Sequence, residues 1–364
     1  MPPSSTLTCS RKRETVERIL TYAEAIREAT EQEMTRDPSV IVFGLGVDDF
    51  KAIYGTTRGL AEAFGSERVF DTPLAEDAMT GVAVGAALAG LRPIHVHIRM
   101  DFVLLTMNQI INVAAKSRYM YGGAVSVPIV IRSIIGRSWG QGAQHSQGLH
   151  SFFMHVPGLK VVAPSTPYDA KGCLIQSIRD DNPVMFVEHR MLHHQKGHVP
   201  ESPYSVPFGR ARVLETGEDV TLVAISHMVI ECLRARQHLE EAGISTEVID
   251  PVSLSPLDIE TIVRSVRKTG RLIVVDTAWT ACGASAEILT QVIERLQGSR
   301  AIQVQRMGYE PVTCPTTKNL ENLFYPTPSR IAAAAYTLVR GAGHAWTPKH
   351  ADAPEIIQFR GPFE

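Results

Sequence analysis

Paired cysteines, charge imbalance and long apolar runs are all missing from this chain. Its 364 residues include five cysteines, Cys9, Cys173, Cys232, Cys282 and Cys314, odd in number and without paired spacing. They read as reduced thiols rather than a disulfide frame or zinc site, which points to the cytoplasm. A formal net charge of -2 argues against a nucleic acid or an anionic membrane surface as the main partner. The first stretch, MPPSSTLTCSRKRETVER, has no apolar core of a signal peptide. Even the small-residue run Ala78–Gly90 is too short to span a bilayer, and Arg92 and Pro93 follow it. There is no Gly-rich phosphate loop with Lys and Ser or Thr, and no G-x-S-x-G elbow. Phosphotransferase and serine hydrolase chemistry therefore lack support.

What is present is an ordinary balance, 44% hydrophobic and 20% charged, with enough length for two domains. Strand-length apolar runs (SVIVFGLG, RPIHVHI, VPIVIRS, LKVVAP, PVMFVEH) alternate with helical patterns such as TYAEAIREATEQEMTRD, which starts on a Thr N-cap. FVLLTMNQIINVAAKSRYM reads as one helix. This alternation predicts an α/β fold, a mostly parallel sheet with helices on both faces. The pattern breaks in RMLHHQKGHVPESPYSVPFG and then restarts, giving a second, smaller α/β domain. The expected organisation is a polar tail over 1–20, a first domain over 21–190, a linker over 191–208, a second domain over 209–340 and a loosely held tail over 341–364.

Among candidates for chemistry, FDTPLAEDAMTGVAVGAALAG places Glu76 and Asp77 at the mouth of a helix rich in Gly and Ala. The helix dipole favours a carboxylate there, so a plain N-terminal charge accounts for Glu76 on local grounds. GLGVDDF has Asp49 where a dinucleotide loop needs its third glycine. His95 and His97 alternate on a strand and share a face, but no third ligand stands at a recognised spacing. The loop GRSWGQGAQHSQGLHSFF follows an internal strand and clusters Gln144, His145, Ser146 and Gln147 among glycines. Loops at strand ends are where α/β proteins hold their chemistry.

Taken together, RVFDTPLAEDAMTGVAVGAALAGLRPI, INVAAKSRYMYGG, QGAQHSQGLHSFFMHVPGLKVVAPSTPYDAKG and IRDDNPVMFVEH resemble the β subunit of thiamine-diphosphate-dependent 2-oxoacid dehydrogenases. That family includes the pyruvate, branched-chain 2-oxoacid and acetoin enzymes, and VSLSPLDIETIVRSVRKTGRLIVVD extends the likeness into the second domain. The resemblance implies a transketolase-like pyrimidine-binding domain, then a transketolase C-terminal domain, both doubly wound, in an α2β2 heterotetramer. It implies that Glu76 hydrogen-bonds the cofactor's aminopyrimidine and promotes the tautomer that activates the thiazolium carbon. Ile98 and Phe102 match positions that contact the cofactor, Phe102 as the aromatic packed on the pyrimidine. His145 matches the loop histidine that handles protons or steers the acyl acceptor. Ile129, Ser177, Asp180 and Asn182 fall where the family often holds a structural potassium ion. The family's Gly-Asp-Gly segment, which with a later Asn holds magnesium and diphosphate, is absent, so an α chain is expected to supply that half of the site.

The family pattern is broken in three places: at Leu45, where a glutamate usually follows the first strand's glycine, at Arg99 with Met100 before Phe102, and at Leu105 in place of a common Gln. If Arg99 and Phe102 lie on a regular strand they should face opposite ways. Arg99 is then either a contact for an anionic substrate group or a partner of Asp101 or of an α-chain acid. The implied reaction is oxidative decarboxylation of a 2-oxoacid, with the acyl unit passed to a carrier thiol such as lipoyl on an acyltransferase. A specialised version would move a two-carbon ketol or glycolyl unit from a ketose phosphate to a carrier protein. A third reading, an interaction protein without catalysis, sits badly with the presence of both Glu76 and His145.

Overall fold

The computed structural model describes residues 18–49, 51–137, 140–344, 346–349 and 352. Its first sheet has seven strands in the order Ser253–Ser255, Lys160–Val162, Val184–His189, Val130–Ile135, Arg92–His97, Val40–Gly44 and Val69–Asp71. All neighbours are parallel except the Ser253–Ser255 edge, which runs antiparallel to Lys160–Val162. Alternate residues of one strand feed different cores. Ile41 and Phe43 pack with Ala83, Val84 and Ile110, whereas Val40 and Val42 pack with Ile26, Ala29 and Leu174. Both faces are thus covered, as a continuous apolar strand requires.

A second sheet of five strands runs Gln303–Tyr309, Arg271–Trp279, Val220–Ala224, Thr246–Asp250 and Arg212–Glu215, with only the last antiparallel. The two sheets share one apolar cluster in which Val161 and Leu254 meet Ile262 and Leu272. Ser253–Ser255 therefore belongs to the second domain by sequence and to the first sheet by pairing. The expected capping of the helix Tyr22–Arg36 is present: the Thr21 hydroxyl accepts from Glu24 N, and Glu24 accepts from Thr21 N.

Several expected boundaries look different in three dimensions. Ile19–Thr21, at the end of the presumed tail, pairs antiparallel with Lys196–His198 in the presumed linker. Strands of three residues are too short to show an alternation. Most of the C-terminal tail and the first seventeen residues lie outside the described residues. Trp346, however, stacks on Tyr336 at 4.9 Å, and Asp352 accepts from Ser329 N and Oγ. Met100–Met120 is not one regular helix: an α turn at Met100–Val103 passes through Leu104–Thr106 (3-10) and Asn108–Ala114 (π) into α-helix Ala115–Met120. A π segment is commonly found near functional sites. No helix of the described residues is long and apolar enough to cross a membrane.

At the centre of the first sheet, Arg132 and Glu188 form a fully buried two-point pair, 2.7 and 3.0 Å, with His193 at 3.2 Å from the same carboxylate. Burial alone would raise the Glu188 carboxyl, but Arg132 and His193 override it and hold it at about 2. Glu188→Gln should destabilise the fold by about 3–5 kcal/mol, because Arg132 then stays buried without a counter-charge. The depressed carboxyl adds stability that is complete above the ordinary glutamate value of about 4.3 and is lost as pH falls toward 2. Urea titrations of wild type and variant between pH 7 and pH 3 check both the size and the sign: the gap between them should narrow toward the acid end.

Candidate active site

Glu76 opens the helix Glu76–Leu88, and Ala75 before it supplies no capping side chain. Its neighbour takes the local work: Asp77 Oδ1 accepts from Ala78 N at 2.7 Å. Glu76 itself makes no hydrogen bond or ion pair among the described residues, and it lines a pocket of about 460 Å3. Glu76 thus stands in the first turn, where the helix dipole favours a carboxylate, but it is not used as a hydrogen-bonding cap. The helix is also not buried on all sides. Thr80, Ala83, Val84 and Ala87 form one buried face, while Gly81, Val82, Gly85 and Leu88 are exposed.

Thr80 fixes the height of this helix over the sheet. Its hydroxyl lies 3.1 Å from His95 Nε2 and 3.4 Å from His97 Nε2. The two imidazoles meet edge to face at 4.4 Å. Burial pushes His95 down to about 4 and His97 well below its usual range, so both rings are neutral near pH 7. His97 also lines the pocket. Sequence reasoning had seen the shared face of these histidines but had no way to see the threonine across from them.

The strand Arg92–His97 ends one residue before Ile98, and a helical turn starts at Met100. The regular-strand expectation for Arg99 and Phe102 is thereby overturned. Both line the same pocket, together with Ile98, Leu45, Leu74, Leu105 and His145. Gly44 sets Leu45 there: its φ of +152° and the 2.2 Å that a Cβ would leave to Val96 O admit only glycine. The three departures from the family pattern, Leu45, Arg99 and Leu105, thus converge on one cavity.

His145 reaches the pocket from its loop and meets the Phe102 ring edge to face at 5.3 Å. The loop is fastened on two sides. On one, Asp101 Oδ1 accepts from Gln147 Nε2 at 2.8 Å and Gln147 N at 3.3 Å. Burial raises the Asp101 carboxyl, against the lowering pull of those Gln147 bonds. On the other, His150 lies 3.0 Å from Asp276 in the second domain, both fully buried. Between them Gly148 packs so tightly that a Cβ would lie 2.0 Å from Thr277 O. Asp101 is thus committed to the loop and is not the partner of Arg99.

Ile129, Ser177, Asp180 and Asn182 gather around the turn that follows the helix Pro167–Arg179, far along the chain from Glu76. Ile129 O accepts from Val184 N and Ser177 O from Asp180 N. Asp180 O accepts from Arg92 Nη1 at 3.2 Å, and its carboxylate is held by Lys160 at 2.7 and 2.8 Å and by Asn182. Carbonyl oxygens dominate the turn, a hard donor set suited to an alkali cation, and each carbonyl keeps a second lone pair. Their present bonds hold the turn without a metal.

The pocket thus brings an unpaired carboxylate, a half-buried histidine and an apolar wall into one space, and it offers no metal–diphosphate grip of its own. Residues 19–195 match the transketolase pyrimidine-binding domain and residues 209–331 the transketolase C-terminal domain. The chain is 43% identical to the β subunit of acetoin:2,6-dichlorophenolindophenol oxidoreductase from Cupriavidus necator, over 90% of this chain and 99% of that one. It is 42% identical to the pyruvate dehydrogenase E1 component subunit β of Rickettsia bellii, over 85% and 95%. The chain belongs to the transketolase-like family of 2-oxoacid dehydrogenase β subunits. A split-gene transketolase solved as an inactive β4 tetramer shares the fold, with a TM-score of 0.72 over 88% of this chain and 99% of that one, at 24% identity. For a dehydrogenase β subunit the apolar wall and free carboxylate suit the pyrimidine end of thiamine diphosphate, the cofactor on which this family depends. In such a β subunit the loop fastening should matter as much as His145 itself. Gln147→Leu removes the side-chain donor from a buried carboxylate and should cost about 1–3 kcal/mol locally. Hydrogen exchange of residues 142–149 should quicken in that variant while the sheet strands stay protected; equal protection throughout would show that the clamp is not needed.

Proposed function

We propose that this chain is the β component of a thiamine-diphosphate-dependent enzyme that oxidatively decarboxylates a 2-oxoacid and passes the acyl unit to a carrier thiol. The observation that carries the reading is Glu76, a carboxylate without a partner in a pocket walled by Ile98, Phe102 and His145. Thiamine diphosphate, when bound, supplies a nucleophilic thiazolium carbon and an electron sink for the bond beside the substrate carbonyl. Glu76 would hold and return a proton at the pyrimidine ring. Ile98 and Phe102 would pack on the ring by dispersion and exclude water from the carboxylate. The His145 imidazole stands at the pocket edge, placed to exchange a proton with substrate or acceptor. The neutral His97 closes the floor without adding charge.

Magnesium and the diphosphate are assigned to an α subunit in an α2β2 assembly, with a lipoyl acyltransferase as acceptor. Exposed apolar side chains support such a partner: Leu105, on the pocket, is 60% exposed and Val82, on the helix that begins with Glu76, 56%. The carbonyls of Ile129, Ser177 and Asp180, with Asn182, would take a potassium ion. Potassium chloride should then raise the melting temperature of the assembled complex above that in sodium chloride at equal ionic strength; identical melting curves would remove the ion from the reading.

Glu76→Gln keeps the shape of the site but not its proton chemistry. Deuterium exchange at the thiazolium carbon should fall by at least about 100-fold in the assembled complex, with little change in unfolding midpoint. The β chain alone, lacking the diphosphate grip, should show no exchange above the free cofactor. An assembled variant that exchanges at the wild-type rate would return Glu76 to a helix-end charge.

A further inference from the structure

We infer that the pocket selects a substrate carrying a second anionic group, one that stays on the substrate through the reaction, and that Arg99 is the residue that recognises it. The inference rests on the decarboxylase-type reading above and deepens it. Arg99 lines the pocket with Glu76 and His145, yet no carboxylate pairs with it among the described residues. Its one hydrogen bond is to its own neighbour, from Nη1 to Ile98 O at 3.0 Å. Its Nε is buried without a partner. The acid closest in sequence, Asp101, is taken by Gln147.

The Arg190 guanidinium, which donates to Gly136 O at 2.7 Å, is pushed down to about 10, chiefly by burial and further by repulsion from Arg99. Leu45 and Leu105 line the same wall as Arg99, and apolar neighbours strengthen a charge-assisted contact to an anion. With Glu76 engaged at the pyrimidine, as proposed above, Arg99 is the charged side chain left on that wall, a costly arrangement unless something negative meets it.

The reaction decides which anion. A guanidinium on the carboxylate that departs as carbon dioxide would stabilise the substrate more than the transition state, where that charge is draining away. Arg99 therefore serves a group that remains, the distal carboxylate of a dicarboxylic 2-oxoacid, which a guanidinium can meet in two-pronged fashion.

The test uses the assembled αβ complex. Steady-state kinetics would compare pyruvate with 2-oxoglutarate, and calorimetry would measure binding of the unreactive probe glutarate. An anion-tailed donor should exceed pyruvate in kcat/KM, and Arg99→Met should cut that preference by about 10–100-fold, mainly through KM. Arg99→Lys should restore part of it, and glutarate should lose its heat signal in Arg99→Met. Turnover of pyruvate with no preference for an anionic tail overturns the inference and leaves the decarboxylase reading standing. Arg99-dependent probe binding in a complex that turns over no donor does the reverse. Dissociation of the complex by both Arg99→Met and Arg99→Lys makes the residue an interface contact and ends the proposal.

Discussion

The site depends on one buried contact, the Thr80 hydroxyl set between His95 and His97. It joins the helix that begins with Glu76 to the strand that leads into Ile98, Arg99 and Phe102. Burial keeps both imidazoles neutral, so the contact is a hydrogen-bonded wedge rather than a charge cluster. The wedge adds a directional contact to the apolar packing of Ala83 and Val84 that already holds this helix to the sheet. The pocket is therefore defined by sheet packing first and by loop placement second.

The loop adds the remaining group from the other direction. His145 is carried between a first-domain anchor, Asp101 with Gln147, and a second-domain anchor, Asp276 with His150. The second domain thus takes part in the site without contributing a residue to the pocket's wall. Buried polar pairs of this kind fix a geometry as much as they stabilise it.

Much of the fold was legible because its strands are long, apolar and rich in Val and Ile, a pattern with few competing readings. The Thr21 cap and the major helices followed from the same local rules. The short strands at Ile19–Thr21, Lys196–His198 and Ser253–Ser255 were not legible, since their pairing is long-range and their side chains are mixed. At the site, Glu76, Ile98, Phe102 and His145 were identified by resemblance, and the pocket brings all four together. The relation between Arg99 and Phe102 was misjudged because the sequence VHIRMDF hides a strand-to-helix switch after His97. Local propensity does not mark such a switch, because Met, Phe and Val are at home in either state. The Asp101–Gln147 clamp was likewise invisible, being a contact across 46 residues of chain.

The pocket's Glu76 and its Leu45–Arg99–Leu105 rim come from different segments, and the Thr80 wedge holds Glu76 in place whatever the rim contains. Rim residues can therefore be exchanged as a set while the carboxylate and its support stay untouched. A lineage on this scaffold can drift in what it accepts without passing through a form that has lost its proton chemistry. For protein engineering the same separation marks out a small library, three positions wide, in which most members should keep a working carboxylate.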